Sequence, residues 1–524
     1  MVITNKKNNK VCFVHVSRGD SSDNSIKLLP IGLIAIADYV FRNGIKPLII
    51  HLKLEKSLEP NFDLCEFIKK NKYSIVLFDL HWHYQSYHVI KTISELKQKI
   101  PDLKIIVGGF TASFFHREIM NEFKNIDFVV RGDPELPLLI LLRYLNNDET
   151  NFKDIPNLSW RKAKRIIHNL HTYVVDQETI DKLCFTNFRL MRNYENYIKN
   201  FSTGLNQDDN IPIFYYAPGR GCLGNCSYCG GSNISQGIIN KRTGIILINH
   251  KSVIKELNNL RKYNIHRVDM AYDPDPQSKY YIDLFKEIRK KRLKLSIIFG
   301  SFGLPSEDFV DEFKKTFNKD SIIIISPETG SEIIRKKNKS FFYTNSGLIK
   351  TLLYIRKEKI RVQISLTVGL PYETKLDILK TLVLINYLKN NFHGIEFNIE
   401  AIEIEPAAPW FIYKKKFGIL NKNRTFKDFY NAHKCDSSLI CSNGNLSVGE
   451  IKSIVKLYYA EARCIYEKSI FMKFLSDFLF IIENIDFQIL YTKCNSCTEY
   501  NTCFRDFLKI NAQAKEGLDK LKQL

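Results

Sequence analysis

Residues 219–232 read GRGCLGNCSYCGGS and set Cys222, Cys226 and Cys229 among glycines, with three and then two residues between the thiols. Thiolates that close can ligate three irons of a cubane [4Fe–4S] cluster and leave the fourth iron open to a substrate or cofactor. Gly219, Gly221, Gly224, Gly230 and Gly231 let the backbone bend tightly and bring N–H groups near the sulfurs, where hydrogen bonds raise the reduction potential. A structural zinc ion ordinarily takes four ligands in paired CxxC spacing. The extra spacer residue, with no fourth Cys or His nearby, favours the cluster over zinc or three unrelated thiols.

The motif follows a short apolar run, IFYYA, that opens a regular alternation. RVDMAYD, LSIIFGS, SIIIIS, VQISLTVG and IEFNIEAIEI are separated by helix-length amphipathic stretches, as expected of six strands curved into a barrel or partial barrel. The cysteines then lie on its carboxyl face, where such barrels do chemistry. Upstream, VCFVHV, PLII, SIVLFDL, KIIVGG and DFVVRG alternate with helical segments and predict a doubly wound parallel sheet of five strands. Ligands of open parallel sheets bind outside the carboxyl ends of the strands. Those ends read DLHWHY, GGFTAS and RGDPE. Residues 147–210 are polar and read as a connector, with NLSWRKAKRIIHNLHTYVV as a hairpin or extended pair.

With 524 residues, 44% of them hydrophobic, the chain has room for two to four domains. Its +21 formal charge would suit nucleic acid, an anionic surface or an acidic substrate. The lysines are scattered, however, with no block longer than KKRLK or YKKKF, so a solvated basic surface is expected and a nucleic-acid partner is not. Met1 leads into VITNKKNNK, without the pattern of an export signal. Twelve cysteines then point to a reducing, cytoplasmic setting and to metal or redox chemistry. FMKFLSDFLFIIENIDFQIL is interrupted by Lys473, Asp477, Glu483 and Asp486, and is expected as a buried helix rather than a membrane span.

CxxxCxxC with an aromatic residue before its last cysteine resembles the signature of the radical SAM superfamily. LLPIGLIAIADYVFRNG, the VGG at 107–109 and RGDPELPL resemble the cobalamin (B12)-binding domain that precedes many of its members. The expected fold is α/β. It comprises a Rossmann-like, B12-binding type of sheet over 1–146, the connector over 147–210, a partial (β/α)6 barrel over 211–415, and a helical region over 416–524. The resemblance implies that Cys222, Cys226 and Cys229 hold a [4Fe–4S] cluster whose open iron binds S-adenosylmethionine, and that one electron into the sulfonium yields a 5′-deoxyadenosyl radical. Tyr228 would lie over the adenine through its backbone. Members often carry GGE after the second barrel strand. AYDPDP stands there instead, which leaves Asp273 or Asp275 for the methionine amino group. SPETGSE implies Ser326 and Glu328 at the ribose and carboxylate, and VGLPYET places Gly369 at a familiar turn.

Many cobalamin-binding domains carry DxHxxG after their first strand; here VCFVHV runs into SRGDSSDNS, so no axial histidine is expected from that place. By the same resemblance Gly108 and Gly109 would let the nucleotide tail pass close to the backbone, with His81, Asp133 and Glu135 also at the corrin. His81, His83 and His88 either line the pocket or cap a loop. Cys494, Cys497 and Cys503, with Cys435 or Cys441, form a second candidate metal site, for an auxiliary Fe–S cluster or zinc, unless the thiols are merely reduced. The reading is an oxygen-sensitive enzyme that methylates an unactivated carbon of a small molecule or peptide through cobalamin, fed by a flavodoxin or ferredoxin. One rival is a cobalamin-independent radical oxidoreductase, cyclase or sulfur-insertion enzyme. The other is a basic RNA-binding module with a structural metal site.

Overall fold

The computed structural model describes residues 10–17, 28–163, 165–201, 211–419, 425–435 and 439–463. Five strands, β1 (Lys10–His15), β2 (Lys46–His51), β3 (Ile75–Asp79), β4 (Lys104–Gly108) and β5 (Phe128–Val130), pair in parallel in the order β2-β1-β3-β4-β5. Their β-branched runs are buried on both faces. Val11 and Phe13 of β1 join the core under helices Ile31–Arg42 and Glu135–Asn146, while Cys12 and Val14 join the core under helix Ser86–Lys99. Each fully buried aliphatic or aromatic side chain contributes about 1.5–3 kcal/mol, so both helical layers are needed to stabilise the sheet. The pair read within the connector, β6 (Leu158–Lys162) and β7 (Arg165–His168), adds antiparallel to β5, giving a seven-stranded sheet in place of the expected five.

The second sheet starts with β8 (Ile213–Tyr215). A short antiparallel ribbon follows, β9 (Gly219–Gly221) with β10 (Ile245–Leu247), which the alternation did not predict. Then come β11 (Arg267–Met270), β12 (Ser296–Ser301), β13 (Ile322–Glu328), β14 (Arg361–Val368) and β15 (Glu396–Ala401). The order β15-β14-β13-β12-β11-β8 is parallel throughout, the expected partial barrel of six strands. Helix Val448–Arg463 packs on β15 and helix Lys375–Asn391, while helix Phe426–Lys434 crosses to helix Ser86–Lys99 of the first domain. Phe411, Phe426 and Phe429 thereby share one core with Phe115, so the C-terminal region bridges both sheets. No helix among the described residues is long and apolar enough to cross a membrane, and residues 471–490 lie outside them.

Candidate active site

The cysteine loop begins where the β9–β10 ribbon is pinched. Gly221 has φ +90°, and a Cβ there would come within 2.2 Å of the Gly244 carbonyl oxygen, so only glycine fits. The Tyr272 hydroxyl donates to the Gly221 carbonyl at 2.8 Å. Each sulfur then meets one backbone donor. Gly224 N–H lies 3.3 Å from Cys222 Sγ, Gly231 N–H 3.3 Å from Cys229 Sγ, and Ser340 N–H 3.4 Å from Cys226 Sγ. Two of these donors are glycines expected to approach the sulfurs; Ser340 comes from a segment 114 residues downstream. That segment brackets the loop further. Asn338 C=O accepts from Ser227 N–H at 2.8 Å, Ser340 Oγ from Asn225 N–H at 2.6 Å, and the Phe341 ring would meet a Cβ on Gly224 at 2.9 Å.

Burial pushes the Cys229 thiol up to about 12, with Cys226 adding to the effect, and burial also raises Cys222. Crowded thiols resist ionising until a cation joins them, and a coordinated thiol is deprotonated outright. Among the described residues no three His, Cys, Asp or Glu side chains converge enough to hold a single metal ion. A cubane instead takes its thiolates on separate irons. Three thiols in one loop, each with an N–H aimed at the sulfur, fit that group.

Glu328 ends β13 at a bulge with φ +65°, an uncommon conformation for a residue other than glycine and one that marks functional edges. Its carboxylate accepts from the Tyr228 hydroxyl at 2.9 Å and the Thr367 hydroxyl at 2.6 Å, and pairs with Lys339 Nζ at 3.4 Å. Burial first, then Glu328, drives the Tyr228 phenol well above its ordinary value, so it stays a donor. Ser326 is half-buried beside the bulge. Asp273 turns inward. It accepts from Phe302 N–H at 2.9 Å, and burial, opposed by that bond, raises its carboxyl to about 6. Asp275 stays half-buried next to Pro274, whose carbonyl accepts from Leu223 N–H of the cysteine loop at 3.2 Å. Gly369, with φ +95°, donates its N–H to Glu373 at 2.7 Å, which makes it part of a strand-ending turn.

The first sheet presents its carboxyl edge to this loop. Gly109 has φ +108°, and a Cβ there would lie 2.8 Å from the His81 backbone; Gly108 has only an ordinary contact at 3.6 Å. His81 is half-buried between Trp82 and Phe110, and burial, against Asp79 and Glu405, lowers its pKa, leaving a neutral imidazole. Asp133 and Glu135, expected at the corrin, are engaged elsewhere. Asp133 pairs with Arg220 Nη1 at 2.7 Å and with Arg242, and Glu135 pairs with Arg220 Nη2 at 2.5 Å. Burial alone would raise the Asp133 carboxyl, but the two guanidiniums and Val175 N–H outweigh it and hold it low. Buried His83 stands 3.0 Å from His433 and 3.5 Å from Glu405 after β15.

Arg220, Arg242, Thr367 and Glu405 are not legible in the sequence because their partners lie tens to hundreds of residues away, and Lys339, 11 residues from Glu328, reaches it only across the segment after β13. Arg220 alone carried a local signal, being the one charge inside the motif. Cys441 is buried and pushed up to about 11 by burial, and Cys435 is exposed. Cys494, Cys497 and Cys503 lie outside the described residues. A cavity of about 660 Å³ at the opposite rim, between Tyr194, Asn259 and Tyr263, is separate from all of these groups.

The radical SAM superfamily model matches residues 216–385, and the B12 binding domain model matches residues 27–142. The anaerobic magnesium-protoporphyrin IX monomethyl ester cyclase of Synechocystis sp. is 26% identical over 143 residues, which are 26% of this chain and 24% of that protein, so the chain spans about a quarter of this curated relative. The radical S-adenosylmethionine methyltransferase TsrM from Kitasatospora setae, solved with cobalamin and a [4Fe–4S] cluster, superposes with a TM-score of 0.65 at 12% identity, covering 97% of this chain and 100% of that one. The cobalamin-dependent S-adenosylmethionine radical enzyme OxsB, solved with aqua-cobalamin, gives 0.64 at 12% identity, over 97% of this chain and 76% of its own. At these identities the likeness is one of fold. The two family models fall on the two sheets whose carboxyl edges flank the cysteine loop, so the chain carries a radical SAM domain over residues 216–385 behind an N-terminal B12-binding domain over residues 27–142.

Proposed function

We propose that this protein is a cobalamin-dependent radical S-adenosylmethionine enzyme that methylates an unactivated carbon of a small molecule or peptide. One observation carries the reading: the carboxyl ends of the parallel strands of two sheets converge on one cysteine loop. Arg220, just before Cys222, is held by Asp133 and Glu135 beyond β5, and Glu405, beyond β15, reaches His83 beyond β3. A group bound at the first edge would face one bound at the second. TsrM, a radical S-adenosylmethionine methyltransferase, and OxsB, a cobalamin-dependent S-adenosylmethionine radical enzyme, share this arrangement of folds.

When bound, the cluster and S-adenosylmethionine would supply a 5′-deoxyadenosyl radical, and cobalamin a methyl carrier. Cys222, Cys226 and Cys229 would hold the cluster, with the N–H groups of Gly224, Gly231 and Ser340 offsetting charge on the sulfurs. Glu328, fixed by Tyr228, Thr367 and Lys339, is the carboxylate placed to take a ribose hydroxyl or an ammonium group. With Asp273 engaged by Phe302 N–H, Asp275 is the better candidate for the methionine amino group. His81 and Gly109 shape the edge left for the corrin. The test is air-free reconstitution with iron, sulfide and hydroxocobalamin. Wild type is expected to retain iron and corrin and to cleave S-adenosylmethionine, and Cys226→Ala to lose iron and cleavage together. Iron-replete protein that retains no corrin would refute the methylation reading.

A further inference from the structure

We propose that the surface over the cysteine loop, built by the end of helix Glu332–Asn338 and by helix Lys414–Phe417, docks an acidic one-electron carrier protein. The inference rests on the iron–sulfur reading above, since that chemistry must be fed single electrons. Cys226 lies near the surface here and is itself only half-buried. The Ser340 N–H that meets its sulfur at 3.4 Å belongs to an exposed residue.

Around that point cations and apolar groups are both exposed. Lys336, Lys337, Lys415 and Lys416 are open to solvent, as are Leu223 (46%), Phe342 (39%), Ile333 (60%) and Tyr413 (48%). The two lysine pairs form one surface because Tyr372 joins them. Lys337 Nζ sits 5.0 Å over its ring, and its hydroxyl donates to the Lys416 carbonyl at 2.5 Å. Lys336 lies 6.0 Å over Phe342 and Lys416 5.8 Å over Phe417, so these charges rest on aromatic faces. The nearby carboxylates point inward: Glu328 and Glu373 are buried, and Glu332 accepts from Asn345 N–H at 2.6 Å. A cationic rim around exposed apolar side chains steers and then seats an acidic partner. In the transfer, an anionic flavin hydroquinone on the carrier loses one electron and becomes the neutral semiquinone, and the cluster gains that electron; no proton or bond moves.

The test uses the reconstituted full chain and follows cluster bleaching by stopped flow, with flavodoxin hydroquinone or photoreduced 5-deazariboflavin as reductant. K336E/K337E and K415E/K416E are compared with K291E/K294E, an exposed pair at the opposite rim before β12. At low ionic strength each of the first two is expected to slow reduction by flavodoxin roughly tenfold or more and to flatten its salt dependence. Reduction by deazariboflavin and iron content should match wild type, which separates lost docking from a damaged cluster. The proposal is overturned if these variants behave like K291E/K294E, or if the wild-type cluster accepts electrons from deazariboflavin and none from flavodoxin. A wild type that assembles no cluster brings down the parent reading and this one together.

Discussion

Arg220→Met should loosen the cysteine loop while leaving the barrel standing. Arg220 joins the two sheets: it meets Asp133 at 2.7 Å and Glu135 at 2.5 Å, and those carboxylate side chains are 4% and 0% exposed. Asp133 would keep Arg242, whereas Glu135 would be left as a buried charge with no cation from the barrel. Removing one partner of a buried pair costs about 3–5 kcal/mol, mostly the penalty of the stranded charge. At about 1.4 kcal/mol per tenfold, the β9–β10 amides should exchange with deuterium roughly 10² to 4 × 10³ times faster in the variant. Amides of β13 and β14, which make no contact with the clamp, should keep their protection. Replacing both partners, in R220M/E135L, should recover most of the loss, because the desolvated charge is gone. If the single variant leaves β9–β10 exchange within a few-fold of wild type, the ion pairs are incidental to the join and the argument fails.

Two further outcomes follow from groups beside the site. Glu373 is fully buried in the turn after β14, and burial, against the Gly369 N–H bond, lifts its carboxyl to about 8. The folded state therefore holds a proton that the unfolded chain releases above about pH 4.3, and stability falls as pH rises from there to about 8. Glu373→Gln should melt like wild type near pH 4 and higher than wild type at pH 8.5; equal melting at pH 8.5 would count against the protonated carboxyl. Gly109→Ala, which combines φ +108° with a 2.8 Å approach to the His81 backbone, should cost about 2–4 kcal/mol in thermal or urea unfolding, while Gly108→Ala should cost under about 1 kcal/mol. Equal losses would mean that backbone crowding does not explain the glycine pair.

The residues that could be read in advance are those whose chemistry is local in the chain. Buried parallel strands are written as continuous β-branched runs, which is why IIII of β13 and VCFV of β1 are visible, and the three thiols suggest a cluster by their own spacing. β6 and β7 are less visible as sheet members: LSWRK passes from buried Leu158 and Trp160 to adjacent charges, RIIH is half-buried with a charge at its start, and their place at the sheet edge is set by Phe128–Val130 rather than by their own pattern. The site divides in the same way. Glu328 is a candidate from its position in the strand order, but what fixes its carboxylate, Tyr228 100 residues before it and Thr367 39 residues after it, depends on the curvature that brings β13 and β14 to the loop. Asp133 and Glu135 were assigned to a ligand because they follow a strand at a binding edge. That position equally suits a clamp, and the guanidinium of Arg220 that both carboxylates meet lies 87 and 85 residues away. A motif residue at a sheet edge thus reports that something charged lies opposite. Whether that is a cofactor or another domain is settled by long-range packing, which is why the charge inside GRGC deserves the same scrutiny as its cysteines.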